Sequence, residues 1–425
     1  MHSRCIQPAR RPVDADLAAP PSKSWTHRAL VAAAIADGVT RIEGPLEAAD
    51  TRCTRRGLEA LGIAVTDDPA AWSVRGLDGV IEGGAHVECE ASGTSARFLT
   101  ALAALGRSGS HVDGSPRLRQ RPMEELLGAL ESLGASVEAT GGALPVRVGG
   151  GDIRGGAVAI SGARSSQFAS ALLLIGPALP QGLELTVAAP RASYGYALLT
   201  VRVLERFGAV IRRPWEGAFQ IARQRLVPAV LRAEGDHSSA AYGFLAAAVT
   251  GGRVRVRGLD AASLQPDARF HRDLAAVGCS VAVDETGIEV RGTTTLAAFD
   301  WDLEDAPDLA PTAAVLALFC RGESRLRGLG NLRLKESDRL EAVSAGLAGL
   351  GASVRAEEGA LIVRPPSQAR GAFIDVADDH RIAMAFAIAG LRLPGITLSD
   401  SEVTAKSYPG FWEDFERLAG PRTGS

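Results

Sequence analysis

Five cations stand where helix physics disfavours them. Lys23, Arg28, Arg97, Arg164 and Arg381 each lie within about a turn of the start of an apolar, Ala-rich helix. A helix N-terminus carries roughly half a positive charge and disfavours each nearby cation by about 0.3–1 kcal/mol. The clusters at these starts read, in chain order, "SKSWTHR", "ASGTSAR", "GARSSQ", "EGDHSS", "EDAPDL" and "ADDHR". Any one of them alone is explained by N-capping, because Ser, Thr and Asp satisfy the free N–H groups of a first turn. Capping needs a single residue, however, and never Lys, His or Arg. Helix N-termini supplemented by cations bind anions, phosphate and carboxylate above all. Several such ends facing one cleft would hold a polyanionic small molecule.

Three further segments carry charge outside the helix starts. "GSPRLRQRPMEEL" brings Arg117, Arg119 and Arg121 to the front of a helix. "GNLRLKESDRL" sets Lys335 and Arg339 four residues apart with Glu336 beside them, and "SEVTAKSYPGFW" holds Lys406 in a polar loop. Taken singly, "ESDR" reads as a surface turn with an i,i+3 ion pair, and "AKS" as an exposed lysine.

The elements that must position these residues recur. An apolar helix, a glycine and a short alternating strand repeat six times, punctuated by Gly38, Gly109, Gly182, Gly251, Gly322 and Gly395. A second, amphipathic helix with a Gly-Ala stop and a strand hairpin interleaves, as in "LLGALESLGASVEATGGALPVRVGG". The chain therefore reads as an α/β protein of six units of about 70 residues, too large for a solenoid repeat and too small to stand alone. Grouping by three is expected. The last unit lacks its hairpin and the chain start has strands without a helix, so the N-terminal strands are expected to complete the sixth unit. That makes one domain discontinuous, residues 1–20 plus 235–425, and the other continuous, residues 21–234.

Bulk composition fits this reading. The 425 residues are 46% hydrophobic and 22% charged with a net charge of -3, which excludes a generally basic nucleic-acid coat. The apolar runs are too short to span a bilayer, and the start of the sequence lacks the apolar core of a signal peptide. The 48 dispersed glycines point to short turns. The five cysteines are odd in number and far apart, without metal-ligand spacing. A cytoplasmic protein with reduced thiols, binding neither membrane nor nucleic acid, is expected.

In order and spacing, "SKSWTHR", "SGTSAR", "RQRPM", "SSQF", "NLRLKESDRL", "DDHRIAM" and "TAKSYP" resemble the enolpyruvyl transferases, in the branch that acts on shikimate 3-phosphate. The likeness covers residues 15–415. It implies a two-domain enolpyruvyl transferase-like fold of six βαβαββ units, three per domain around a pseudo-threefold axis, with the active site in the cleft between domains. It also implies transfer of the carboxyvinyl group of phosphoenolpyruvate to the 5-hydroxyl of shikimate 3-phosphate, with release of phosphate. No metal or organic cofactor is implied, and a monomer is expected. By the same resemblance Lys23, Ser24, Arg28, Ser165, Ser166, Gln167, Ser193, Asp308, Asn331 and Lys335 would contact shikimate 3-phosphate. Lys23, Gly93, Arg121, Gln167, Arg339, Arg381 and Lys406 would contact phosphoenolpyruvate. Asp308, Glu336 and Lys23 would be catalytic, and His380 a proton relay or a packing residue.

Four positions depart from the family pattern: Pro21, where Gly is usual; Ala91, where Asn is usual; Ser115, where an acid is common; and Tyr194-Gly195 in place of a frequent Lys-Pro. None removes a catalytic charge. The sister transferase acting on UDP-N-acetylglucosamine is the alternative substrate class. It has an Asn where Ser24 stands here and commonly a Cys in the region of residues 112–122, which holds none in this chain. A catalytically silent binder on the same scaffold would have lost charges such as Lys23, Asp308, Glu336 or Lys406, and all four are present.

Overall fold

The computed structural model describes residues 2–68 and 70–420. It divides into two compact units, one running from Pro21 to Ala233, the other comprising the residues up to Pro20 and those from Glu234 onward. Each is built around three apolar helices. In the continuous unit these are Lys23–Ile35, Gly93–Ala104 and Ser166–Ile175; in the discontinuous unit, His237–Thr250, Ala310–Ala317 and His380–Gly390. A helix apolar all round must be buried all round. Accordingly, every residue from Ala29 to Ala36 is at most 3% exposed, and every residue of His380–Gly390 is buried. Within each unit the three helices touch one another pairwise.

Amphipathic helices flank this centre. Where Arg339–Gly349 meets the helix of Phe386, Gly346 leaves no room for a Cβ against the phenyl ring, so only glycine permits the approach. Burying a ring such as Phe386 stabilises its unit by about 1.5–3 kcal/mol. The strands form an outer layer. Their alternation puts one face on the core and the other in water, as in Leu183–Ala188.

Six sheets share one plan. A strand before the apolar helix pairs in parallel with the strand after it, and in five of them the latter pairs antiparallel with one arm of a hairpin. Two sheets take their first strand from elsewhere in the sequence. Asp14–Ala18 precedes the Lys23 helix in the chain, yet pairs with Arg253–Arg257; Val230–Arg232 precedes the His237 helix, yet pairs with Arg41–Glu43. The expectation that both N-terminal strands complete the sixth unit therefore divides. Arg4–Cys5 pairs with Thr397–Leu398 and does complete it. Asp14–Ala18 belongs to the fourth, where Ala15 and Leu17 are buried in its core.

Five of the six punctuating glycines have positive φ, from 69° at Gly251 to 126° at Gly38, which a β-carbon would oppose. Gly109 differs: its φ is not positive, and a Cβ there would stand 3.0 Å from Nε of the exposed Arg147. Among the described residues no helix is long and apolar enough to cross a membrane, and all five cysteines are thiols.

Candidate active site

In the continuous unit the polar residues at the three helix starts are joined to one another. Ser22 caps the first helix, accepting from Trp25 N at 3.3 Å, so Lys23 and Ser24 occupy its first turn. The charge problem at this end is met by Asp50, whose Oδ2 lies 3.1 Å from Lys23 Nζ, both side chains being largely buried. One turn on, Arg28 is buried and holds three neighbours at once. Its Nη1 donates to Ser24 O (2.8 Å), its Nε to Thr200 Oγ1 (2.8 Å) and its Nη2 to Ser170 Oγ (3.0 Å). Arg28 thereby ties the first helix to the third and to Gly195–Arg206.

The second helix start is shaped by Gly93. A Cβ there would stand 2.5 Å from Nη1 of Arg121 and 2.6 Å from Nη1 of Arg97, so the missing side chain admits two guanidinium groups to the first turn. Arg97 donates to Gly93 O at 3.0 Å and to Pro122 O at 3.2 Å, fixing the "RQRPM" segment against this helix. At the third start Ser165 caps by accepting from Gln167 N. Gln167 Nε2 donates to Thr94 Oγ1 at 3.1 Å, while its Oε1 is buried without a partner among the described residues. Ser193 has a φ of 58°, in the left-handed region, and Ala192 N donates to Gly162 O, which brings its loop to the strand end before Ser165.

Beneath these residues runs a chain of hydroxyls. His27 Nδ1 lies 2.7 Å from Thr54 Oγ1, which lies 2.7 Å from Ser95 Oγ, itself 2.7 Å from the capping Ser92 Oγ. Burial pushes His27 down to about 3, with Lys23 and Arg28 acting in the same sense against Asp50. The ring is therefore neutral in the folded protein.

In the discontinuous unit three cations converge on one carboxylate. Asp308 Oδ1 lies 2.9 Å from Arg339 Nη1 and 3.4 Å from Lys335 Nζ, and its Oδ2 lies 2.8 Å from Arg381 Nη2. Burial alone would raise its pKa, but Arg381, Lys335 and Arg339 prevail and hold it well below the usual carboxylate range. Glu336 Oε2 accepts from Arg339 Nη2 at 2.7 Å, and its Oε1 is 4.0 Å from Lys406 Nζ. Asn331 opens the short turn leading to Lys335, and its Oδ1 is buried without a partner among the described residues.

The residue that organises this cluster is one the sequence reading left without a role. Asp379 is fully buried, accepts from Arg339 Nε (2.8 Å) and Ser337 Oγ (3.2 Å), and caps the last apolar helix through Arg381 N (2.9 Å). Burial opposes the Arg339 charge, but Asp379, Glu336 and Asp308 keep the guanidinium firmly protonated. The "ESDR" segment thus makes its i,i+3 pair in the interior, since Arg339 is 1% exposed. His380, also buried, has Nδ1 3.9 Å from Asp379 Oδ1.

Among the residues singled out from sequence, Lys335, Arg339 and Arg381 surround Asp308; Glu336 joins them through Arg339, and Lys406 through Glu336. Lys23, Ser24, Arg28, Gly93, Arg121 and Gln167 gather at the helix starts of the other unit. Arg164 does not join them: it is half exposed and pairs with Glu124 at 2.5 Å, the ordinary surface role. Arg119 likewise serves Asp113. Asp50, Ser170 and Thr200 were missed, because neutral hydroxyls and a helix-start aspartate carry no distinctive spacing. Asp379 had a signal, its place in "ADDHR" immediately before a helix. The departures are mild in position. Pro21 and Ala91 stand directly before the caps Ser22 and Ser92, and Ser115 itself caps Pro116–Arg119.

The family model described as EPSP synthase (3-phosphoshikimate 1-carboxyvinyltransferase) matches residues 8–415. A 3-phosphoshikimate 1-carboxyvinyltransferase of Methanoculleus marisnigri is 43% identical over 407 residues, 95% of this chain and 96% of that protein. Another, of Syntrophobacter fumaroxidans, is 42% identical over 421 residues, 96% of this chain and 97% of the relative. A solved EPSP synthase of Acinetobacter baumannii superposes with a TM-score of 0.83 at 26% identity, covering 98% of each chain. With the family match spanning nearly the whole sequence, the chain belongs to the EPSP synthase family.

Proposed function

We propose that this protein transfers the carboxyvinyl group of phosphoenolpyruvate to the 5-hydroxyl of shikimate 3-phosphate and releases phosphate, a step toward chorismate and the aromatic amino acids. Family membership supports the reaction. The observation that carries it is the Asp308 carboxylate held among Lys335, Arg339 and Arg381, with Glu336 on the same arginine. Both substrates are polyanions, and each of the two clusters has more cations than carboxylates.

The reaction is an addition followed by an elimination. The hydroxyl oxygen attacks C2 of phosphoenolpyruvate while a proton is delivered to C3, giving a tetrahedral intermediate. A proton then leaves C3 and the C2–phosphate bond breaks, restoring the alkene. In this reading Asp308 accepts the hydroxyl proton, and Glu336 with Lys23 handles the proton exchanged at C3. Without substrate Asp308 is a poor base, because three cations hold its charge. A substrate carboxylate and phosphate arriving at Arg339, Arg381 and Lys406 would draw those cations away and return basicity to Asp308 as the reactants meet. The same cations stabilise charge developing in the intermediate.

Lys23, Ser24, Arg28, Ser165, Ser166, Gln167, Ser193, Asp308, Asn331 and Lys335 are assigned to shikimate 3-phosphate. Lys23, Gly93, Arg121, Gln167, Arg339, Arg381 and Lys406 are assigned to phosphoenolpyruvate. No cofactor is required. We place the protein in the cytoplasm, a reading supported by its five free cysteines, and take it to act as a monomer.

Asp308→Asn tests the chemistry, because it keeps the shape and removes the base. Turnover should fall by about 10²–10⁴-fold while shikimate 3-phosphate binding changes little. An equal loss in both would make Asp308 a binding residue only.

A further inference from the structure

Two histidines on the outer face of one sheet have no part in this chemistry. His86 in His86–Glu88 and His111 in Ser110–Asp113 are direct register partners on adjacent parallel strands. Between them and the next outward pair, Val87 and Val112 turn inward and are fully buried. The imidazoles lie stacked, with ring planes 11° apart and centroids 5.0 Å apart, and Nδ1 to Nδ1 is 3.1 Å. His86 is exposed and His111 half-buried, so the pair is open to solvent. One ring must donate an N–H to the other, which requires at least one of them to be neutral.

We propose that His86 and His111 form a binding site for a first-row divalent transition metal, with Ni²⁺, Cu²⁺ and Zn²⁺ as the class of ion. Two nitrogens about 2.0–2.1 Å from a shared ion lie about 2.9 Å apart at a right angle and about 3.3 Å apart at the tetrahedral angle. The observed spacing falls between these values, so a shared ion fits between the two nitrogens once the rings pivot about their side-chain bonds to turn both lone pairs toward it. For both Nδ1 atoms to coordinate, the donor ring takes its Nε2–H tautomer; the proton relocates on that ring and none is lost.

The neighbours complete the site without adding a third protein ligand. Asp113 is engaged by both Nε and Nη2 of Arg119, and Glu88 accepts from Glu90 N at 2.8 Å. Both carboxylates lie two residues beyond the histidines on the same sheet face, where their charge favours a cation. On the other side Arg147, the register partner of His111, opposes one, and Glu138 offsets it from 3.7 Å. Water fills the remaining positions, and imidazole ligation selects transition metals over Mg²⁺ or Ca²⁺. The sequence reading expected no metal, because residues 86 and 111 acquire a common face only through strand register.

Calorimetric titration of the full chain with Ni²⁺ tests the site, run alongside His86→Gln and His111→Gln. Both changes are on an outer sheet face and should leave the circular dichroism spectrum unchanged. Wild type should bind one ion that each variant binds roughly tenfold or more weakly, and Ni²⁺ should raise the melting temperature of wild type alone. Equal binding by all three proteins would reduce the site to adventitious surface coordination. Loss in one variant only would show that the two rings do not share an ion. Either result overturns the proposal.

Discussion

Asp308 and His27 show how burial decides what a charged side chain does. Both are enclosed, but Asp308 has three cations within 3.4 Å and stays ionised, whereas the neighbours of His27 leave it neutral. The consequence for stability has a definite sign. His27 titrates at about 3 in the folded protein against 6.5 for the free side chain. Between these values the unfolded chain binds a proton that the folded chain refuses, so stability is lost as pH falls through the window. One such group contributes a slope of about 1.4 kcal/mol per pH unit. His237 and His271 are shifted the same way by burial. Calorimetric melting from pH 7 to pH 4 should therefore show His27→Gln losing stability less steeply than wild type. Parallel curves would mean that the ring is protonated in the folded state. Sequence alone showed His27 only as one of several polar residues in "SKSWTHR"; its neutrality depends on burial, with Lys23 and Arg28 acting in the same sense.

The helix starts are the elements that turn composition into a site. Their positions were legible because six apolar runs end in glycine at a near-constant interval, and caps such as Ser22, Ser92 and Asp379 stand where the polar clusters begin. What was not legible is which cations face inward. Arg97 and Arg164 have equivalent places before or within a helix start, yet one is buried against Gly93 O and the other lies beside Glu124 on the surface. Gly93 carries a direct test. Gly93→Ala pushes a methyl group toward Arg97 and Arg121, so KM for phosphoenolpyruvate should rise roughly tenfold, part of one charge-assisted bond of about 1.5–3 kcal/mol. Alanine is the better helix former, so the melting temperature should hold. An unchanged KM would remove Arg121 from phosphoenolpyruvate binding.

Across the whole molecule the charge is -3, while the charged residues assigned to substrates are mostly cations. Local rather than global charge must therefore attract the substrates. KM for both should rise between 0.15 and 1 M salt, as the screening length falls from about 8 to about 3 Å, while kcat changes little. Constant KM values would contradict an electrostatic basis for binding. The repeat plan at this scale was readable from six similar segments. The exchange of Asp14–Ala18 and Val230–Arg232 between sheets was not, since each strand is local in sequence to one helix and hydrogen-bonds beside another. The most direct test of the central claim is phosphate release by the purified protein. Phosphoenolpyruvate should yield phosphate when shikimate 3-phosphate is present and none when it is omitted. Release with UDP-N-acetylglucosamine in its place, or none with shikimate 3-phosphate, would contradict the assignment.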